Sequence, residues 1–206
     1  MFGCRNLAIA GALATLAAAP AMAAPVLWAG NGHYYEYVGG SFSFDAALAG
    51  AEAMTFGVYE GYLATITSEA ENVFIGGLVV AGAGQYTQTW VGGSDRETEG
   101  VWKWITGPEE GTVFWNGAAV AGQYHNWFRP QEPNDFNGED GLSAYYFENL
   151  LWNDLSTSVG NGYVVEYRLA PVGPGVPEPA TWAMMIVGFA ATGACLRRRA
   201  AKPATA

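Results

Sequence analysis

Apolar and polar positions along this chain fall into short runs, and the period of each run predicts an element. HYYEYV, His33 to Val38, is an aromatic run that reads as a strand. FDAALAGAEAM, Phe44 to Met54, repeats its apolar residues at helical spacing, so that Phe44, Leu48 and Ala51 share a face. A further strand is expected over Leu63–Thr67, with a helix directly after it. Ser68 is placed to cap that helix, and Glu69 and Glu71 lie in the first turn, where free N–H groups favour anions. After a glycine-rich break the apolar positions form TWVGGSD, GVWKWITG, LSAYYF and finally GYVVEYR, Gly162 to Arg168. Two helices come early and the strands cluster late, an order that predicts an α+β fold with its functional loops held between strands. No internal repeat is evident.

Neither end of the chain fits that pattern. Residues 1–23 carry one basic residue, Arg5, then an apolar run and the small-residue triplet Ala21-Met22-Ala23, the layout of a secretory signal peptide. The domain is expected over 25–170, followed by a Pro/Gly linker with a Pro-Glu-Pro motif over 171–179, and an apolar span with a basic cluster over 180–199. Ala180–Leu196 is uncharged for 17 residues, at the short limit of the roughly 17–25 that cross a bilayer. Arg197, Arg198 and Arg199 after it would stay cytoplasmic, leaving the domain on the far side, in agreement with the signal peptide. With Pro177-Glu178-Pro179 and Trp182-Ala183, this tail resembles the PEP-CTERM sorting signal of Gram-negative bacteria. The resemblance implies an exported protein, transiently anchored in the membrane by its C-terminal span. An exosortase-type protease would process it near Pro177–Pro179, for release or for attachment at the cell surface. A plain tail anchor is the alternative.

Removing the ends changes the chemistry. Cys4 and Cys195 both leave with them, so no disulfide, thiol nucleophile or cysteine-zinc site is available to the domain. Ala24–Ala170 keeps four basic residues against eighteen acidic ones, a net charge near −14. Such a surface opposes the phosphate backbone, and nucleic acid is excluded as a partner. It suits cations.

The acids concentrate in one place. Gly107–Leu142 has no clear periodic element, and a stretch of that length in a compact domain is expected to work or to be pinned. It contains EPNDFNGED, Glu132 to Asp140, with four carboxylates and two asparagines in nine residues, and WND follows at Trp152–Asp154. Calcium takes roughly 6–8 oxygen ligands. Glu132, Asn134, Glu139, Asn153 and Asp154 would supply three carboxylates and two amide carbonyls, and the cation would relieve their mutual repulsion. A cis Glu132–Pro133 bond, accessible because the second residue is proline, would turn the carbonyls of Glu132 and Asn134 toward one point. The spacing does not match an EF-hand loop.

Together, GYLATITSEAENVFI, WVGGSD, EGVWKWITG, YHNWFRPQEPND, GED, WND and GYVVEY resemble a C-type lectin-like domain over His33–Arg168, in that family's order. The resemblance implies the C-type lectin-like fold, with two helices packed on small antiparallel sheets and a long ligand-binding loop region. It implies a principal calcium site on Glu132, Asn134, Glu139, Asn153 and Asp154, the same five residues contacting carbohydrate. The Glu-Pro-Asn form implies sugars with equatorial 3- and 4-hydroxyls, the mannose, fucose and N-acetylglucosamine class. An auxiliary calcium site would use Asp95, Glu99, Asp135, Glu139 and Asp140. The family's disulfides are missing, since the corresponding positions hold Gly141 and Val165, with an alanine near Ala51. The loop between Trp104 and Glu132 is also longer than in compact members.

Other residues take plainer roles. Trp102, Trp104, Trp127 and Trp152 are expected to anchor the core beside strands, whereas Trp115 or Phe128 would flank a saccharide. His33 and His125 are far apart with no zinc spacing, and Glu109 and Glu110 read as a solvated loop face. The function expected is calcium-dependent binding of a glycan or exopolysaccharide. A calcium-stabilised adhesive module without sugar binding is the second reading. Glycosidase chemistry on Glu132 and Asp154 is the third, and no accompanying catalytic constellation supports it.

Overall fold

The computed structural model describes residues 24–85, 87–145 and 150–169. The expected signal peptide (1–23), the linker and Pro-Glu-Pro motif (171–179) and the apolar span with its arginines (180–199) lie outside the described residues. Among those described, no helix is long and apolar enough to cross a membrane. The elements are β1 (Val26–Leu27), β2 (Tyr34–Phe42), α1 (Phe44–Glu52), β3 (Thr55–Phe56), β4 (Tyr59–Leu63), α2 (Glu69–Ala83), β5 (Thr89–Ser94), β6 (Val101–Trp104), β7 (Val113–Asn116), β8 (Gly141–Ala144), β9 (Trp152–Leu155) and β10 (Asn161–Leu169).

Both helices start on side-chain caps. The Ser43 hydroxyl accepts from the Ala46 N–H, and the Ser68 hydroxyl accepts from the Glu71 N–H. Helix α1 buries Phe44, Ala47 and Ala51, with Leu48 packed at the edge, so the expected face is the one turned inward. The expected strand at Leu63–Thr67 is displaced to Tyr59–Leu63. Beyond Ala64 the backbone leaves the ladder because its donors go to carboxylates: Thr65 N–H to Glu166 at 3.1 Å and Thr67 N–H to Glu71 at 2.7 Å. Strand β7 is an element the periodicity did not show. It is held by antiparallel pairing with β6, Trp102 opposite Trp115. Strand β8 stops at Ala144, where Tyr145 takes φ +70°.

One sheet path runs β1-β2-β10-β5-β6-β7; β4 pairs with β10 and β3, and β8 lies between β5 and β9. Strands β2 and β10 are antiparallel, so the first long strand and the last close the domain on itself. Strand β10 meets β5 in parallel. At Gly92 the chain passes so close to a neighbour that an added Cβ would sit 2.7 Å from the Leu63 carbonyl oxygen, a position only glycine fills without displacement.

Two apolar clusters form the core. One packs α1 against β4 and β10, with Phe44, Ala47, Ala51, Leu63, Trp90 and Val165 buried. The other is aromatic and lies under the long loop. Trp102 meets Trp127 edge-on with centroids 4.9 Å apart, Trp104 lies 4.5 Å from Phe114, and the Trp152 indole N–H donates to Asn72 at 3.0 Å. The four tryptophans expected as anchors are all buried.

A polar knot ties β2, α2 and β10 together. The Tyr35 hydroxyl lies 2.6 Å from Glu71 and 2.9 Å from Glu166, and His33 Nδ1 lies 2.6 Å from Glu166. The hydrogen bond to Glu166 raises the His33 pKa above its ordinary 6.5, with burial opposing and the charges of Glu166, Glu109 and Glu71 assisting. A histidine raised in the folded state contributes stability that is fully present below about pH 6.5 and is lost as pH climbs through the raised value. Titration of the His33 ring protons by NMR is expected to give a midpoint above 6.5 in the parent and a lower one in Glu166→Gln. Equal midpoints would show that the pair does not hold the proton.

Candidate functional site

The long loop is fastened to β9 before it reaches its acids. Phe128 N–H donates to the Trp152 carbonyl at 2.9 Å and Trp152 N–H to the Asn126 carbonyl at 2.8 Å, a short parallel bridge. The chain then passes through two cis bonds, Arg129–Pro130 and the expected Glu132–Pro133. A tight turn follows, with positive φ at Asp135, Asn137 and Gly138. Glu139 N–H closes it by donating to Asp135 at 2.9 Å, and Phe136 N–H donates to Glu139 at 3.2 Å.

Asp154 holds this turn in place. Its Oδ2 accepts the backbone N–H groups of Asn134 at 2.8 Å and Asp135 at 2.7 Å. Its Oδ1 is buried and, among the described residues, accepts from no N–H group or hydroxyl, and the neighbouring Glu132 carboxyl lies within hydrogen-bonding reach of the Asp154 carboxyl. The side-chain amide of Asn134 donates to Glu132 Oε2. Glu132, Glu139, Asn153 and Asp154 are buried, whereas Asn134 and Asp135 are exposed at the rim. Glu132, Asn134, Glu139 and Asn153 line one shallow cavity of about 240 Å³, and the Asp154 carboxyl abuts it through Glu132. The structure therefore brings the five expected principal ligands together.

Their electrostatics are those of crowded acids. Burial, then the neighbouring Asp154 carboxyl, pushes Glu132 up to about 8, although the Asn134 amide opposes the rise. Burial and the Asp154 charge also raise Glu139. In the auxiliary group, Asp95, Glu99 and Asp140 present oxygens within 4.8 Å of one another. Asp95 is only 2% exposed, with one oxygen on the Gly100 N–H at 2.9 Å and the other without a partner among the described residues. Burial pushes it up to about 7, with Glu99 and Asp140 adding to the rise. Asp135 and Glu139, expected in the same group, also serve the turn: Asp135 accepts from the Glu139 N–H and the Glu139 carboxylate accepts from the Phe136 N–H. An all-oxygen donor set with two buried, unopposed carboxylate oxygens fits a hard cation such as calcium.

Several residues at the site were not anticipated. Gln88, Phe136 and Leu155 also line the cavity, and Phe136 is 72% exposed. Phe136 is the one apolar side chain inside the acidic segment besides Pro133, a signal that was available. Gln88 accepts from the Ser143 hydroxyl at 3.0 Å, a contact made by strand pairing and invisible locally. Trp115 is 3% exposed and covered by the Arg129 guanidinium, 4.6 Å above its ring, so it offers no open stacking face. Phe128 is half-buried. Glu109, expected to be solvated, accepts from the Thr65 hydroxyl at 2.9 Å and is half-buried.

A family model described as the lectin C-type domain matches residues 51–166, and one described as the PEP-CTERM protein-sorting motif matches residues 175–199. Halomucin of Haloquadratum walsbyi is 46% identical over 140 residues, which are 66% of this chain and 1% of Halomucin. Nattectin of Thalassophryne nattereri, named as a galactose-specific lectin, is 28% identical over 127 residues, 62% of this chain and 70% of that protein. Among solved structures, the C-type lectin CEL-I from Cucumaria echinata superposes with a TM-score of 0.54 at 20% identity, covering 67% of this chain and 91% of that one. At that identity the likeness is one of fold.

Removing the Asp154 carboxylate leaves two loop amides without their acceptor. In Asp154→Ala, hydrogen exchange at the Asn134 and Asp135 amides is expected to accelerate at least tenfold, since a hydrogen bond to a charged group is worth about 1.5–3 kcal/mol. Amides in β2 and β10 should keep their protection. Unchanged exchange at Asn134 and Asp135 would show that Asp154 does not pin the loop.

Proposed function

The chain belongs to the C-type lectin domain family, and from that premise we propose that it is an exported, calcium-dependent glycan-binding protein whose site is formed by Glu132, Asn134, Glu139, Asn153 and Asp154. The observation that carries this reading is Asp154, which spends one oxygen on the loop that presents Glu132 and Asn134 and leaves the other buried and unopposed. Family members are binding domains and not enzymes.

Calcium would be held by those five residues, where it supplies a coordination site for a pair of sugar hydroxyls. Specificity falls to the chain's own groups. Glu132 accepts a hydrogen bond from one hydroxyl, and the Asn134 amide donates to the other. The order of acceptor and donor along the site reads the hydroxyl orientation, and the Glu-Pro-Asn order suits the mannose, fucose and N-acetylglucosamine class. Exposed Phe136 and the Gln88 side chain flank the same cavity and add an apolar and a polar contact to the sugar's edge. Asp95, Glu99 and Asp140 form the auxiliary calcium position.

The fate of the protein follows from its tail. Export begins with residues 1–23, and the matched sorting motif over 175–199 holds Pro177-Glu178-Pro179. An exosortase-type protease of a Gram-negative host would act there on a precursor anchored by 180–199, leaving the domain at the cell surface or free outside the cell.

Two measurements test these assignments. Calcium at one hundred times its dissociation constant should stabilise the protein by about 2.7 kcal/mol, and a labelled mannose-bearing glycan should be displaced by free mannose more readily than by galactose, and by chelator. The exchange Glu132→Gln with Asn134→Asp keeps both oxygen ligands and reverses the donor–acceptor order. It is expected to retain the calcium shift and move the preference toward galactose by about tenfold, the scale set by one unmet hydrogen bond. A parent that shows no calcium shift, or an exchanged protein that keeps the mannose ranking, would overturn the assignment.

For the tail, mass spectrometry of protein from its native host should place the mature C-terminus near Pro177–Pro179. Finding Ala206 at the end of every molecule would rule out processing.

A further inference from the structure

A second cavity of about 240 Å³ is lined by Trp102, Trp115, Gly117, Arg129 and Pro133 and shares Asn134 with the first. It is smaller than the roughly 300–1,000 Å³ that encloses a drug-sized ligand, and is of the order of one further sugar ring. Its position matters because Asn134 lines both cavities. The shared residue makes the two cavities neighbours, close enough for adjoining residues of one oligosaccharide.

Arg129 sets the chemistry of this second cavity. Two of the domain's four cations are spent elsewhere: Arg96 pairs with Asp45 at 2.9 Å and Lys103 pairs with Glu97. Arg129 makes no ion pair among the described residues, although Glu99, Asp135 and Asp154 line the same cavity. Its guanidinium is held 4.6 Å above the buried Trp115 ring, and its Nη1 reaches only the Glu132 carbonyl, at 3.5 Å. The cation–π contact places the guanidinium of this exposed residue over the indole and leaves most of its donors free. The buried indole N–H of Trp102, another lining residue, is likewise without a partner among the described residues. A planar, unspent fork is matched by a carboxylate, which it binds through two parallel hydrogen bonds. In a domain whose net charge is near −14, a sugar carboxylate has little else to recommend this surface. Where calcium is bound, the proposed function commits Asp154 to the principal cation and Glu99 to the auxiliary one, which leaves Asp135, whose Oδ1 accepts from the Glu139 N–H at 2.9 Å, as the one lining carboxylate not spent on a cation.

We propose that the glycan this protein takes is acidic, with a hexuronic acid beside the calcium-bound sugar, and that Arg129 over Trp115 binds the uronate carboxylate. This rests on the glycan-binding reading above and goes beyond it by naming the ligand as an acidic oligosaccharide. Arg129 is the specificity-determining residue and Trp115 positions it.

The test uses the full-length protein with calcium and three probes: free mannose, a disaccharide of glucuronic acid linked to mannose, and the same disaccharide with glucose in place of the uronate. The parent should bind the glucuronosyl disaccharide about tenfold more tightly than the glucosyl one, and this advantage should shrink as sodium chloride is raised. Arg129→Gln should abolish the difference between the disaccharides, and Arg129→Lys, which keeps the charge but not the fork, should restore part of it. The calcium-induced thermal shift of each variant reports that it is folded. Equal binding of the two disaccharides by a parent that binds mannose, or an uronate advantage that survives Arg129→Gln, overturns the inference and leaves the lectin reading standing. A parent that binds none of the three overturns both.

Discussion

The candidate site depends on one buried carboxylate doing two incompatible jobs at once. Asp154 on β9 accepts two consecutive loop amides with a single oxygen, and so decides where Glu132 and Asn134 are presented. The other oxygen is buried without a donor. Desolvating an ionised carboxylate costs far more than its hydrogen bonds return unless a counter-charge faces it. The loop fixed by this residue therefore gathers its oxygen donors around a buried charge that a bound cation, or a proton shared with the neighbouring Glu132 carboxyl, would offset.

The remainder of the fold makes that arrangement affordable without covalent cross-links. The described cysteine-free domain places Ala51 and Val165 in one apolar cluster, and a Cβ on Gly141 would come within 2.9 Å of the Trp90 ring. At these positions packing takes the place of the missing bridges. The aromatic cluster of Trp102, Trp104, Phe114, Trp127 and Trp152 lies directly beneath the loop, and the Trp127–Trp152 bridge runs through it. The loop is thus attached to the best-packed part of the domain, and the site inherits the rigidity of its floor.

Signals carried by neighbouring residues were legible in the sequence. The Ser43 side of α1 showed only its apolar face, but Ser68 with Glu71 and the four anchoring tryptophans could be read locally and hold in the structure, and the oxygen-rich run of Glu132–Asp140 was equally legible. The misplacements share a cause, which is that a distant partner took over a local preference. Thr65 and Thr67 look like strand residues, yet their amides are claimed by Glu166 and Glu71. Trp115 looks like a free aromatic until Arg129, fourteen positions later, covers it. Glu109 looks solvated until Thr65 reaches it. Strand β7 has no period of its own over four residues and exists because β6 pairs with it. Gln88 enters the site only through the pairing of β5 with β8, which no run of residues announces.

Among the described residues there are two concentrations of buried acid, and their hydrogen bonding differs. At Glu71 and Glu166 every carboxylate oxygen meets a donor: the Tyr35 hydroxyl on one Glu71 oxygen and Thr67 on the other, then His33 and Asn31 on one Glu166 oxygen and Thr65 on the other. That knot is complete within the chain, and its product is the attachment of α2 and β2 to β10. At Asp95 and Asp154 the count does not close, since each buries one oxygen that no N–H or hydroxyl faces among the described residues, and the group beside Asp154 is another carboxyl, Glu132. Burial is equally deep in both places, so desolvation alone does not distinguish them. What distinguishes them is completeness. A buried network satisfied from within fixes a fold, whereas one that stops short of its own charge is finished by something the chain does not contain.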